Sequence, residues 1–111
     1  MGPHPRAADK DQAWAEAQLP GWSMWSVLNY GGHRSWSAMP KGATSAVPGC
    51  IGLSDLETLV EAVRKYEEGL EEHIAEARKE LAETPESWIG RRDMLQARLT
   101  ALEALAAAKA R

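Results

Sequence analysis

The side chains best suited to metal or acid–base chemistry are a few histidines and their carboxylate neighbours. His4, His33 and His73 lie far apart, and none belongs to a recognised metal-binding spacing of His or Cys. His73, Glu76 and Glu80 share roughly one face of a helix. A carboxylate-bridged metal site in a helical bundle needs a glutamate three residues before the histidine, where this sequence has leucine. We therefore predict no metal and no cofactor.

The sequence gives no more support for nucleophilic catalysis than for a metal site. Cys50 is the single cysteine, and the sequence supplies neither a base nor an electropositive pocket for its thiol. The chain contains no nucleophile elbow, phosphate-binding loop or dinucleotide fingerprint, and Gly31-Gly32 fits a tight turn better than a phosphate site. We predict a protein without enzymatic activity. A small enzyme whose site is built from scattered residues is the third alternative.

Tryptophan is the unusual residue type, because the chain has five tryptophans, two tyrosines and no phenylalanine. Aromatic rings flanked by basic side chains are typical of platforms for peptides or single-stranded nucleic acid. The candidate binding surface consists of Trp25, Tyr30, Arg34, Trp36 and Lys41. The competing interpretation is that the indoles fill the core of a small sheet packed on helices.

Length, charge and composition limit the remaining classes of protein and their location. A chain of 111 residues is long enough for one domain, which we predict at 9–111, after a disordered tail at 1–8. Its net charge of −3 gives no general attraction to nucleic acid or anionic lipid. One cysteine excludes an intrachain disulfide, and the first residues contain no apolar signal segment, so we expect a cytoplasmic protein. No stretch approaches the roughly 20 apolar residues of a membrane span, so we expect no membrane association.

The first half of the chain predicts a small β-sheet. Aromatic and β-favouring residues at 22–29 and 34–39 flank the turn sequence NYGGH, which predicts a β-hairpin. A third short strand at ATSAV would complete a sheet over 22–47. Trp25 and Trp36 are expected to meet on one face of the hairpin as a cross-strand pair.

The second half predicts two amphipathic helices. Apolar residues recur at spacings of three and four behind a capping box that begins at Ser54, and Thr84-Pro85 is typical of a second helix start. Helices at 54–83 and 85–109 with so short a connection must run antiparallel. The predicted fold is α+β, with an N-terminal β-hairpin or small three-stranded antiparallel sheet packed on a long C-terminal antiparallel helical hairpin.

The apolar stripes of the two predicted helices exceed what the helical hairpin and a small sheet can cover. Such a stripe commonly closes by self-association, and Leu95, Leu99, Leu102 and Leu105 form the candidate self-association stripe of a homodimer. The leading prediction is a non-catalytic protein-interaction module, a regulatory or accessory protein that self-associates or docks an unidentified protein partner. The alternative is a nucleic-acid-binding accessory protein that uses the tryptophan-rich hairpin.

The first long helix carries acidic residues, several of them four positions apart, where like charges repel. The run comprises Glu67, Glu68, Glu71, Glu72, Glu76, Glu80 and Glu83. The first interpretation is that the run pairs with Arg91, Arg92 and Arg98 of the second helix. The second is that it docks a basic partner.

Overall fold

The computed structural model describes residues 11–110, so the predicted tail at 1–8 lies outside the described residues. The chain has the predicted α+β composition, with a two-stranded antiparallel sheet and four helices within the described range. In chain order the elements are α1 (Gln12–Gln18), β1 (Trp22–Leu28), β2 (Arg34–Pro40), α2 (Leu56–Glu68), α3 (Leu70–Glu83) and α4 (Ile89–Lys109). None of these helices combines the length and the apolar character that crossing a bilayer requires.

The predicted β-hairpin is confirmed. β1 and β2 pair antiparallel from Trp22↔Pro40 at the base to Leu28↔Arg34 at the tip. The five residues between the strands include a 3-10 turn at Tyr30–Gly32, whose two glycines have positive φ angles of 84° and 82°. L-residues with a side chain resist this backbone region, so the glycine pair allows the chain to reverse here.

The predicted third strand is wrong, because the sheet ends at Pro40 instead of residue 47. The segment ATSAV forms bends and loop, and the chain turns again at Gly49, whose φ is 88°. The returning segment contacts β2 through the isolated bridge Trp36↔Leu53 and through the carbonyl of Cys50, which accepts the Ala38 main-chain N–H. Repeated turns leave no run of extended residues long enough for a strand.

The predicted helix at 54–83 is two helices. α2 begins at Leu56, and its N-cap is Asp55 instead of Ser54, because the Asp55 carboxylate accepts the Thr58 main-chain N–H at 2.8 Å. Gly69 separates α2 from α3 with a φ of −105° and a ψ of 28°. Glycine costs about 1 kcal/mol relative to alanine inside a helix, which explains why the break falls at this residue.

The second predicted helix begins four residues later than expected, at Ile89 instead of Pro85. Thr84 does not cap it. The Thr84 hydroxyl donates to the Glu80 carbonyl at 2.6 Å and so closes the end of α3. Trp88 N–H then donates to the Pro85 carbonyl at 3.0 Å in the turn that leads into α4.

α3 and α4 pack against each other along their length. Arg91 near the start of α4 pairs with Glu80 near the end of α3 (3.1 Å). Further along α4, Glu103 pairs with Arg78 of α3 (2.6 Å). Both pairs are largely exposed, so each contributes at most about 1 kcal/mol.

One continuous core joins the hairpin to the helices. Trp22 is buried in it, and its ring forms a T-shaped contact with that of Tyr66 at a centroid distance of 5.7 Å and an interplanar angle of 88°. The molecule measures 18 Å across its thinnest dimension, which is the thickness of about two layers. The largest fully buried side chains are those of Trp22, Pro40, Val47, Cys50, Leu59, Val60, Val63, Leu95 and Leu102.

Candidate functional site

The register of the hairpin divides the predicted aromatic surface. Trp25 lies opposite Ser37, and Trp36 lies opposite Ser26. Residues that pair directly share a face and neighbours along a strand alternate, so Trp25 and Trp36 point to opposite faces. The prediction that these two tryptophans form a cross-strand pair is wrong.

Neither tryptophan of this predicted surface forms an open platform. Trp36 is half-buried against the core, beside Leu53. Trp25 is half-buried on the opposite face. Trp22 is 1% exposed and belongs to the core, as expected from the interpretation that the indoles fill the core of the sheet.

The two predicted basic residues lie at opposite ends of the hairpin. Arg34 lies at the tip, where its guanidinium donates to the Ser26 hydroxyl at 2.8 Å. Lys41 follows β2 at the base, where its main-chain N–H donates to the Gly21 carbonyl at 3.0 Å. A seven-residue strand places them about 20 Å apart. Of the five predicted surface residues, Tyr30 and Arg34 therefore lie together at the tip.

The tip carries an apolar surface that the sequence prediction missed. Val27 is 50% exposed, Leu28 61% and Tyr30 fully exposed. We call these three side chains the tip surface. The sequence did contain a signal for this exposure, the adjacent pair Val27-Leu28 at the end of β1. Consecutive strand residues face opposite sides of a sheet, so a core on one side can cover only one of the two.

Hydrogen bonds at both ends of the hairpin fix which groups of β1 face β2. The main-chain N–H of Asn29 donates to the His33 carbonyl at 2.7 Å, and that of Lys41 donates to the Gly21 carbonyl at 3.0 Å. Residues of an antiparallel strand alternate between bonding to their neighbour and pointing away from it. The odd-numbered residues of β1 therefore bond to β2, and the even-numbered residues direct their N–H and C=O groups toward the outer edge.

The outer edge of β1 is occupied near its base and open toward its tip. The side-chain amide of Gln12 donates to the Met24 carbonyl at 3.3 Å. Within residues 11–110, no main-chain or side-chain group pairs with the outward N–H and C=O groups of Ser26 and Leu28. We call these groups the open edge. It adjoins the tip surface.

The outer edge of β2, by contrast, is covered by the chain itself. Trp36 and Leu53 exchange two main-chain hydrogen bonds, at 2.7 and 2.8 Å. Ala38 N–H donates to the Cys50 carbonyl at 2.9 Å. The hairpin therefore offers one edge for pairing, on the β1 side.

The candidate self-association stripe is buried within the chain. Leu95 and Leu102 are 0% exposed, and Leu99 and Leu105 are each 8% exposed. Most of the stripe belongs to the same core as the hairpin. These side chains are thus not the free apolar surface that self-association along this stripe would need. The exposed apolar side chains of the helical part are Trp88 and Ile89, at the turn into α4.

A small cavity near the break at Gly69 is lined by several polar side chains. It has a volume of about 60 Å³ and is lined by Pro48, Tyr66, His73, Glu76, Ala77, Glu80 and Arg98. The rings of Tyr66 and His73 stack at 3.7 Å. Burial raises the pKa of Tyr66 to about 12, a shift that the positive charge of Arg98 opposes, so the phenol stays protonated at neutral pH.

The thiol of Cys50 is also poorly suited to catalysis. Its side chain is buried, and burial raises its pKa to about 11. A nucleophilic cysteine needs the opposite shift, because the thiolate is the reactive form. In the part of the chain from residue 11 to residue 110, no three His, Cys, Asp or Glu side chains converge in a way that could hold a metal ion.

The acidic run is paired in part. Glu80 contacts Arg91, and Glu67 contacts Lys109 at 3.3 Å. Arg98, expected to pair with the run, instead approaches the Ser45 hydroxyl at 3.4 Å. Within the described range, the other acidic side chains of the run form no ion pair.

No protein-family model, no curated protein and no solved structure matches this chain. The tip surface and the open edge therefore carry the functional argument by their geometry alone.

Proposed function

We propose that this protein is a non-catalytic protein-interaction module that contacts its partner through the tip of the β-hairpin. The observation that carries the proposal is the exposure of Val27, Leu28 and Tyr30 beside unpaired main-chain groups. Val27 and Leu28 expose apolar side chains on opposite faces of the strand, beside its unpaired edge, and a partner strand at that edge would contact both of them. Unpaired strand groups bind an extended segment of another chain through main-chain hydrogen bonds.

The composition of β1 supports the same proposal. Its sequence WSMWSVL contains no charged residue and no proline. Sheets that must stay unpaired usually protect an edge with lysine, proline or a bulge. An edge that lacks these features is suited to pairing.

The helical part serves as the support of this contact surface. We propose that α3 and α4 form an antiparallel helical hairpin whose leucines hold the β-hairpin from behind. Leu102 and Leu105 lie in the core cluster that also contains Trp22. A rigid support keeps the tip presented to a partner and reduces the ordering cost of binding. We place the protein in the cytoplasm, as a regulatory or accessory component.

The alternative, a nucleic-acid-binding accessory protein, has support from Tyr30 and Arg34 at the tip. Its other predicted contacts are half-buried or about 20 Å away. Binding to oligonucleotides through basic contacts would weaken steeply as salt rises, whereas apolar contact at the tip would change little. Fluorescence anisotropy with short oligonucleotides over a range of salt distinguishes the two.

The proposal is tested by affinity purification from cytoplasmic extract of the native host. The tagged protein is compared with a variant in which Val27, Leu28 and Tyr30 are all replaced by serine. Replacement of Trp88 and Ile89 by serine is the matched control, because these large apolar side chains are also more than half exposed but lie elsewhere. We expect co-purifying proteins, identified by mass spectrometry, to be lost with the tip variant and kept with the control. Equal recovery with both variants would overturn the proposal.

A further inference from the structure

We propose that the occupant of the open edge is a second copy of this chain, paired antiparallel through β1 about a two-fold axis at Val27. The inference rests on the proposed function and adds the identity of the partner. Two β-hairpins joined in this way form a continuous four-stranded sheet. The closed pairing also removes the open edge from both copies.

The directions of the main-chain groups select this register. Only outward-pointing residues can bond across the new interface, and in β1 these are the even-numbered ones. Centring on Val27 places Ser26 opposite Leu28 of the second copy. Centring on Ser26 would instead require Met24, whose carbonyl already accepts the Gln12 amide. Centring on Leu28 would require Tyr30, which lies in the 3-10 turn.

The same register brings the exposed apolar side chains together. Val27 lies directly opposite Val27 of the second copy, in a pair without hydrogen bonds, where the Cα atoms approach to about 4.5 Å. On the other face, Leu28 becomes the diagonal neighbour of Leu28 of the second copy, within reach of a long side chain. The two exposed apolar side chains of β1 are therefore both covered by their own counterparts. The open edge and its exposed side chains are thus self-complementary, as a two-fold dimer requires.

This arrangement keeps the bases of the two hairpins apart. The overlap covers the tip halves of the strands, from about Trp25 to Asn29. Antiparallel pairing sends each base, with its α1 helix and the Gln12–Met24 bond, away from the other copy. The contact has about four main-chain hydrogen bonds and is small, so the dimer forms as concentration rises and dissociates on dilution.

Sedimentation velocity of the full chain over about two orders of magnitude in concentration tests the inference. We expect the wild-type protein to shift from monomer to dimer. Val27→Lys places two like charges opposite each other on the axis, so it should remain monomeric. Ile89→Lys is the control, because it adds the same charge at an equally exposed apolar residue, and it should dimerise like the wild type.

Ser26→Pro tests the main-chain bonding separately. Proline removes the outward N–H of Ser26 and leaves the β1–β2 ladder intact, because that N–H does not face β2. We expect a folded monomer, with a circular dichroism spectrum matching that of the wild type. A dimer that survives both Val27→Lys and Ser26→Pro would overturn the inference. A wild-type monomer at every concentration would also overturn it, while tip-dependent capture of another protein would leave the proposed function standing.

Discussion

Trp22 is the residue that ties the β-hairpin to the helices. Its indole N–H donates to the Glu67 carboxylate at 2.8 Å, and its ring packs edge-on against Tyr66. Trp25, three residues later on the other face, makes no such core contacts and is half-buried. The alternation of strand residues explains why two similar tryptophans have different roles. A spacing of three residues places the two tryptophans on opposite faces of a strand but does not indicate which of them is in the core.

Trp22→Phe should destabilise the fold by about 2–3 kcal/mol, since it removes a hydrogen bond to a charged acceptor and part of the buried ring. Trp25→Phe is the matched control and should change stability by less than about 0.5 kcal/mol. Urea unfolding followed by circular dichroism measures both values. Equal losses for the two variants would contradict the different roles of these tryptophans.

Gly31→Ala should destabilise the hairpin by about 1–2 kcal/mol, because its φ of 84° lies in the left-handed region that a Cβ disfavours. Gly90→Ala is the opposite case. Gly90 is helical, and an added Cβ there meets nothing within 4 Å. It should stabilise α4 by about 0.5–1 kcal/mol. Thermal unfolding of the two variants should therefore move the midpoint in opposite directions, and shifts of the same sign would be inconsistent with these backbone conformations.

At the scale of elements, the sequence predicted types better than boundaries. Glycines between aromatic runs predicted the hairpin, and the spacing of apolar residues predicted the helices. The register was missed because nothing local fixes the length of the hairpin connection, and a shift of one residue moves Trp36 to the other face. The start of α4 was missed because Thr84 is able either to cap the next helix or to bond backward to the end of α3, and tertiary contacts decide between the two.

Two adjacent arginines near the α3–α4 connection should contribute different amounts to the stability of the fold. The Arg92 guanidinium donates to the carbonyls of Leu81 (3.1 Å) and Thr84 (2.8 Å), which satisfies the end of α3. Arg92→Met should cost about 1.5–3 kcal/mol. Arg91→Met removes an exposed ion pair with Glu80 and should cost less than about 1 kcal/mol. Chemical denaturation of the two variants checks this order, and a larger loss for Arg91→Met would reverse it.

The N-cap of α2 should make stability depend on acid pH. The Thr58 main-chain N–H bonds to the Asp55 carboxylate and lowers its pKa below the usual value of 3.8. Because the pKa of Asp55 is lower in the folded state than in the unfolded state, the ionised carboxylate stabilises the fold. This stabilisation is complete at pH values above the pKa of the unfolded state, and it is lost as the pH falls through the pKa of the folded state. Asp55→Ala should therefore be less stable than the wild type at neutral pH.

This difference between Asp55→Ala and the wild type should shrink as pH falls below about 3.8. Urea midpoints measured from neutral to acid pH give the curve. Asp93→Ala, which replaces an exposed aspartate within α4, is the control for loss of a carboxylate. A difference for Asp55→Ala that stays constant down to the lowest pH would contradict the capping role.

For the whole molecule, the sequence predicted that the leucines of α4 would be exposed, but they are buried. The sequence pattern could not show this. Periodicity identifies an apolar helix face but not the element that covers it. In this fold the hairpin, α2 and α3 share one core with α4, so the leucines are enclosed. The apolar side chains left exposed lie outside this stripe, among them Val27 and Leu28 of β1.

The most direct test of a binding surface at the β1 edge is amide hydrogen exchange measured residue by residue by NMR at low and high protein concentration. The amides of Trp25 and Val27 face β2 and should be protected at both concentrations. Those of Ser26 and Leu28 face outward, so they should exchange fast in dilute solution and become protected as the protein concentration rises. Ser26 and Leu28 amides that exchange fast at every concentration would contradict pairing at this edge.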